Sequence, residues 1–148
     1  PYCQDNATTW INWTLADPAL IAFTAQVLRL RHALLPLGHQ WYSGLPTARG
    51  PADLAWMQAS GEPLQVQSWN DTEDGVLGCL IGKPGRANTP LLLLVNPDNQ
   101  DCPFALPPGP WQALLDTAHP EGDTDWQGEG HFLLQAHSLA LLAVQPND

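Results

Sequence analysis

The sequence predicts a mainly β chain: an antiparallel β-sandwich preceded by a loop and one helix. Two observations carry this expectation. From Asp53 onward, prolines and glycines divide the chain into apolar runs of five to eight residues. No helical pattern separates these runs, which favours antiparallel strands over alternating βαβ units. Upstream, only residues 17–35 place apolar side chains at three- and four-residue spacing.

The chain opens on "PYCQDNATTWINW" (1–13), with no initiator Met. An aromatic, a thiol, two amides and a carboxylate crowd its first six residues. This is the chemistry of a functional loop rather than of a domain's first strand, so the chain reads as the tail of something larger. "DPALIAFTAQVLRLRHALL" (17–35) follows as an amphipathic helix. Asp17 suits the N-cap and Pro18 the first helical position. Leu20, Phe23, Val27, Leu30 and Leu34 form one apolar stripe. Arg29, Arg31 and His32 lie near the carboxyl end, where cations complement the helix dipole. Pro36 and Gly38 then terminate the helix.

Seven runs read as strands: "DLAWMQ" (53–58), "GVLGCLIG" (75–82), "PLLLLVNP" (90–97), "PFALPP" (103–108), "WQALLDT" (111–117), "HFLLQ" (131–135) and "SLALLAV" (138–144). "LLLLV" does not alternate, which marks a central strand covered on both faces. A boundary is expected near Leu37–His39, dividing 1–37 from a sandwich over 38–148. The isolated helix needs a partner for its stripe, and the simplest source is an upstream domain.

At 148 residues the chain can bury a genuine core. Its apolar share of 44% argues against disorder, and its charged share of 14% is well below the usual ~25%. Fifteen acidic residues against five basic ones give a net charge of −10. That balance excludes a basic nucleic-acid footprint and disfavours adsorption to an anionic membrane. No apolar run approaches a spanning helix. Cysteines at 3, 79 and 102 make no CxxC and leave one over, as expected for reduced thiols in a cytoplasm. The N-x-T triplets at Asn6, Asn12 and Asn70 read as chance occurrences.

No catalytic constellation is evident. "NDTEDG" (70–75) and "PEGDTDW" (120–126) supply carboxylates, but among turn residues and without a calcium-loop pattern. The five histidines have no HxxxH pair and none neighbours a cysteine, so neither metal nor cofactor is expected. Ser43 and Ser138 lack a GxSxG elbow, and "GKPGR" (82–86) is a basic turn rather than a phosphate loop. Among the seven tryptophans, Trp56, Trp69 and Trp111 are expected in the core. Trp10 and Trp13 lie in the opening loop, where exposure and burial are both open.

"YCQDNATTWINW" (2–13) resembles the segment after the last barrel strand in bacterial glycogen debranching enzymes of the isoamylase type, within the α-amylase superfamily. "LIAFTAQVLRLRHALLPL" resembles the family's final barrel helix. "DLAWMQASGEPLQVQSWND" is similar to its Trp, Gly-turn, Trp stretch. "LLLLVNPDNQDCPFALPPGPWQALLDTAHPEG" is similar to its carboxyl-terminal sandwich, including "LLDTA". The likeness covers nearly the whole chain. It implies that 1–37 is the end of a catalytic (β/α)8 barrel and that 38–148 is the appended β-sandwich.

The family cleaves α-1,6 branch linkages of glycogen with retention, using three carboxylates on barrel strands. The resemblance therefore implies a glycoside hydrolase parent whose catalytic residues lie upstream of Pro1. It implies a non-catalytic fragment that stabilises the barrel, with glycogen or limit dextrin and the barrel itself as partners. Barrel active sites are built from loops at the carboxyl face. Tyr2, Gln4, Asp5 and Asn6 are accordingly the candidate substrate-proximal residues, unless their polar groups only bond the loop to itself. Ala7 stands where family members often carry an acidic residue, which argues against a charged contact from this loop. Two alternatives remain: an independent carbohydrate-binding module, and part of a related trehalose-type hydrolase.

Overall fold

The computed structural model describes residues 2–34, 46–47, 50–70, 75–82, 89–119, 122 and 124–145. A 3-10 turn, η1 (Trp13–Leu15), precedes helix α1 (Pro18–Leu34). Ten strands follow: β1 (Pro46–Thr47), β2 (Gly50–Ala52), β3 (Ala55–Met57), β4 (Leu77–Ile81), β5 (Leu91–Asn96), β6 (Cys102–Ala105), β7 (Trp111–Asp116), β8 (Gln127–Gly128), β9 (His131–Leu134) and β10 (Ser138–Val144). A second 3-10 turn, η2 (Val66–Asn70), lies between β3 and β4.

One sheet has the order β3-β4-β5-β10-β7-β8, and the pair β6-β9 forms a second. Every pairing is antiparallel. The chain leaves the large sheet after β5 for β6, returns for β7 and β8, leaves again for β9, and closes with β10 between β5 and β7. That alternation makes two layers around one core, as the pattern of short apolar runs predicts. All seven expected strands are present. The short pair β1-β2 and the two-residue β8 are additional, being too brief to carry a period.

Side-chain alternation sorts the faces. In β9, Phe132 and Leu134 are buried while His131 and Leu133 are exposed. Phe104 of β6 joins them from the small sheet, facing Leu92 and Leu94 of β5 and Ala140 and Leu142 of β10. Trp111 closes one end of this core at 1% exposure and donates its indole N–H to the Pro107 carbonyl at 2.8 Å. Burying each large apolar side chain contributes about 1.5–3 kcal/mol. A bulge between Leu141 and Leu142 shifts the register against β7, so that Leu141 pairs with Leu115 and Leu142 with Ala113.

β5 is central, with Leu91, Leu92 and Leu94 at 1%, 0% and 0% exposure. Its unbroken apolar run reflects cover on both faces. Across the large sheet, Trp56, Cys79, Leu93, Leu141 and Leu115 lie in one register row on the face away from the small sheet.

Helix α1 begins as its sequence predicts. Asp17 accepts a hydrogen bond from the Ala19 amide at 2.9 Å, and its carbonyl takes the first helical bond, from Ile21. Phe23, Val27, Leu30 and Leu34 are half-buried. Leu20, assigned to the same stripe, is instead 61% exposed because it sits in the first turn, before the helix meets its neighbour. That neighbour is the outer face of the large sheet: the Phe23 ring and the Leu115 side chain converge on Gly122. No residue of α1 is fully buried, and none of the described helices is long and apolar enough to cross a membrane. The expected boundary at Leu37–His39 and the terminators Pro36 and Gly38 lie outside the described residues.

Two tryptophans correct the sequence reading. Trp56 and Trp69 were expected in the core, and both are surface residues, 41% and 51% exposed. Position explains it: β3 is an edge strand whose Trp56 points to the outer face, and Trp69 stands on η2 beyond the sheet.

Candidate functional site

The opening loop is held by its own polar groups. Gln4 accepts a bond from the Asn6 side-chain amide at 3.2 Å, and Asn6 Oδ1 accepts one from the Thr8 amide at 3.0 Å. Asp5 accepts from the Trp10 indole N–H, and the Thr9 hydroxyl bonds the Gln4 and Asn6 carbonyls. Asn12 caps η1 through bonds from the Thr14 amide and hydroxyl at 3.1 and 2.6 Å. The Asn-x-Thr triplets at 6 and 12 thus serve as local turns, in which a short amide side chain reproduces a backbone bond.

Among the four candidate residues, Gln4, Asp5 and Asn6 are brought together with Thr9 and Trp10. Tyr2 stands apart, 97% exposed. The cluster is a braced loop with one aromatic extended from it.

Around this loop, apolar surface accumulates. Trp10, Ile11, Trp13 and Leu15 are 65–81% exposed, and Leu20, Ile21 and Leu28 of α1 are 51–61% exposed. A shallow groove beside the helix is lined by Leu28, Arg29, His32 and Ala33. Leaving this many large apolar side chains in water is uncommon for a monomer's surface.

Asp101 and Asp116 of the sandwich are engaged in its turns. Asp101 accepts a bond from the Ala136 amide, and buried Asp116 accepts one from the Ala118 amide, both at 2.9 Å. His119 stands 3.7 Å from Asp116 across the same turn. Among the described residues, no group of three or more His, Cys, Asp or Glu side chains is placed to hold a metal ion. The acidic residues 71–74 and the Lys83–Arg86 turn lie outside the described residues, as do Glu121 and Asp123.

Sequence reasoning missed one surface feature. Trp56 and Trp69 meet edge to face, with ring centroids 5.5 Å apart and planes at 79°. Trp56 is fixed by the β3–β4 pairing opposite Cys79 and by the Leu64 amide, which donates to its carbonyl at 2.8 Å. Trp69 returns over it on η2. The legible signal was the company Trp69 keeps: "PLQVQSW" (63–69) is half polar, and its brief alternation at 64–67 stops before Trp69.

No protein-family model matches the chain. Among curated proteins, "Glycogen debranching enzyme" of Yersinia pseudotuberculosis (serotype O:1b, strain IP 31758) is 31% identical over 136 residues, covering 89% of this chain and 19% of that protein. "Glycogen debranching enzyme" of Yersinia pestis matches with the same values. That of Serratia proteamaculans (strain 568) is 34% identical over 114 residues, covering 76% of this chain and 15% of its own length. The chain spans about a fifth of the length of the curated relatives it matches, 19% for the Yersinia proteins.

Proposed function

Because the chain is homologous to part of the bacterial glycogen debranching enzymes, we propose that it is the carboxyl-terminal, non-catalytic part of a glycoside hydrolase that cleaves α-1,6 branch linkages in glycogen or limit dextrin. The similarity over 89% of the chain to proteins of which it spans 19% carries this reading. In it, the sandwich supports a catalytic barrel supplied by the rest of the polypeptide. The nucleophile, the general acid/base and the third carboxylate of a retaining mechanism belong to that barrel. The whole protein works in the cytoplasm, where its polymer is stored.

Two structural observations support the division of labour. Asp5, Asp17, Asp101 and Asp116 each accept a hydrogen bond from an indole or backbone N–H, which suits loop bracing and capping rather than acid/base work. The exposed apolar side chains of residues 10–28 suit a segment that completes a barrel and packs against its other elements. Gln4, Asp5 and Asn6 then brace the rim of the active site, with Tyr2 reaching toward bound glucan.

Release of reducing ends from a branched limit dextrin, compared between this chain and the gene's full-length product, tests the proposal. Activity confined to the full-length protein is expected. Activity in the chain alone would overturn its non-catalytic role, and inactivity of both would overturn the debranching assignment.

A further inference from the structure

We propose that Trp56 and Trp69 form a surface site that stacks on the glucose rings of an α-1,4-linked glucan chain. The inference rests on the reading of the chain as part of a glycogen-acting protein and names a second point at which that polymer is held.

The geometry selects the ligand. An exposed indole face matches the apolar face of a pyranose, whose axial C–H groups meet the negative face of the aromatic ring. Here two indoles, 41% and 51% exposed, meet edge to face at 79° with centroids 5.5 Å apart, so together they present an angled surface, a notch, rather than a flat platform. A β-1,4-linked glucan is an extended ribbon and needs coplanar rings. An α-1,4-linked glucan turns at each residue, so successive sugars present faces at an angle. The notch therefore fits the curved chain.

The surroundings select against other ligands. The chain carries a net charge of −10, and between Trp56 and Trp69 Glu62 is the sole charged residue. That disfavours a phosphorylated or otherwise anionic ligand and suits a neutral polyol. Ser60, Gln65 and Gln67, in the segment joining the two indoles, are exposed. Amide side chains carry a donor and an acceptor side by side, as a vicinal diol does.

The backbone that carries both rings is also ordered before any ligand arrives, and the rings rest on each other. Trp56 is held in β3 by its pairing with β4, and Trp69 by η2. Little ordering entropy is therefore lost on binding.

Affinity electrophoresis of the full-length gene product and of this chain, in gels containing glycogen, tests the site, with maltoheptaose as soluble competitor and cellopentaose as control. Retardation relieved by maltoheptaose but not by cellopentaose is expected. Trp69→Ala should weaken it about tenfold, the scale of one lost aromatic contact, while the protein stays folded with a modest fall in melting temperature from loss of the Trp56 contact. Trp56→Ala should weaken it similarly, and Trp69→Ala decides the matter if Trp56→Ala fails to fold. Retardation unaffected by Trp69→Ala, or equal relief by cellopentaose, would overturn the site. So would retardation of this chain with none attributable to Trp69 in the full-length protein, because the pair would then face the rest of the polypeptide. Hydrolysis of a short branched dextrin by the unsubstituted full-length protein separates the two readings: its absence would overturn the debranching reading, whereas its presence with retardation indifferent to Trp69→Ala would overturn the stacking site alone.

Discussion

The ring of Phe104 lies against the backbone of Gly78: a β-carbon on Gly78 would stand 2.5 Å from Phe104 Cζ and 3.3 Å from both Cε atoms. Gly78 faces inward on β4, opposite Leu94 and Met57, and its missing side chain is the space that the small sheet's main aromatic fills. Gly78→Ala should therefore destabilise the sandwich by about 1–3 kcal/mol through overpacking. Urea unfolding followed by near-UV circular dichroism reads the loss, and Gly78→Ala/Phe104→Leu should recover part of it.

Asn96 ties the two sheets together. At 1% exposure its amide nitrogen faces the carbonyls of Gln100, Leu134 and Gln135 at 2.8, 3.3 and 3.0 Å, and its oxygen accepts the Asp98 amide at 3.0 Å. Asn96→Leu removes these bonds and leaves the buried Leu134 carbonyl, with the part-buried Gln100 and Gln135 carbonyls, without this donor. A loss of about 2–3 kcal/mol is expected, since unpaired buried groups retain their desolvation cost. A fall below 0.5 kcal/mol, roughly the effect of an ordinary surface change, would show that the tether is not structural.

Phe23 is a contact through which α1 meets the sandwich, beside Leu115 and Gly122. Phe23→Ala should speed amide exchange across residues 20–34 while leaving β5 and β10 protected, because the helix buries no other large ring. Leu28→Ser, on the exposed side at 57%, should leave exchange unchanged. Gly122→Ala should act like Phe23→Ala and add strain, since Gly122 has φ +72° and its β-carbon would lie 2.8 Å from Leu115 Cδ1.

Cys79 and Cys3 should differ in reactivity. Burial pushes the Cys79 thiol above the ordinary thiol range, by disfavouring the thiolate, whereas Cys3 is exposed. At neutral pH a maleimide should label Cys3 promptly and Cys79 only on unfolding. The raised pKa also fixes a sign. Its stabilising contribution is full below the pKa of the unfolded thiol and is lost as pH rises through the folded one. Cys79→Ala should flatten the alkaline limb of the stability profile, and an unchanged limb would refute the assignment.

The strands were legible because each carries its own evidence. Short apolar runs such as "HFLLQ" and "SLALLAV", bounded by turn residues, specify local extended structure whatever the partners. The helix start was equally local, since Asp17 and Pro18 need only the next turn to act. Pairing is different in kind. That β10 inserts between β5 and β7, that Phe104 needs an empty Gly78, and that Asn96 reaches Leu134 are relations between residues distant in sequence, and no window of the chain contains both members. The opening loop was legible as polar chemistry, but its internal bonding emerged only with its fold.

The tryptophans show where the division falls. Sequence by itself determined a sandwich with an amphipathic helix ahead of it, because hydrophobic periodicity and turn residues act over a few positions. It could not determine which aromatics are buried. Trp56 and Trp111 both lie in strands, yet one is 41% exposed and the other 1%. An edge strand's outward residue meets solvent while an inward one meets the opposite sheet. Strand order and facing therefore decide burial, and only the tertiary structure supplies them.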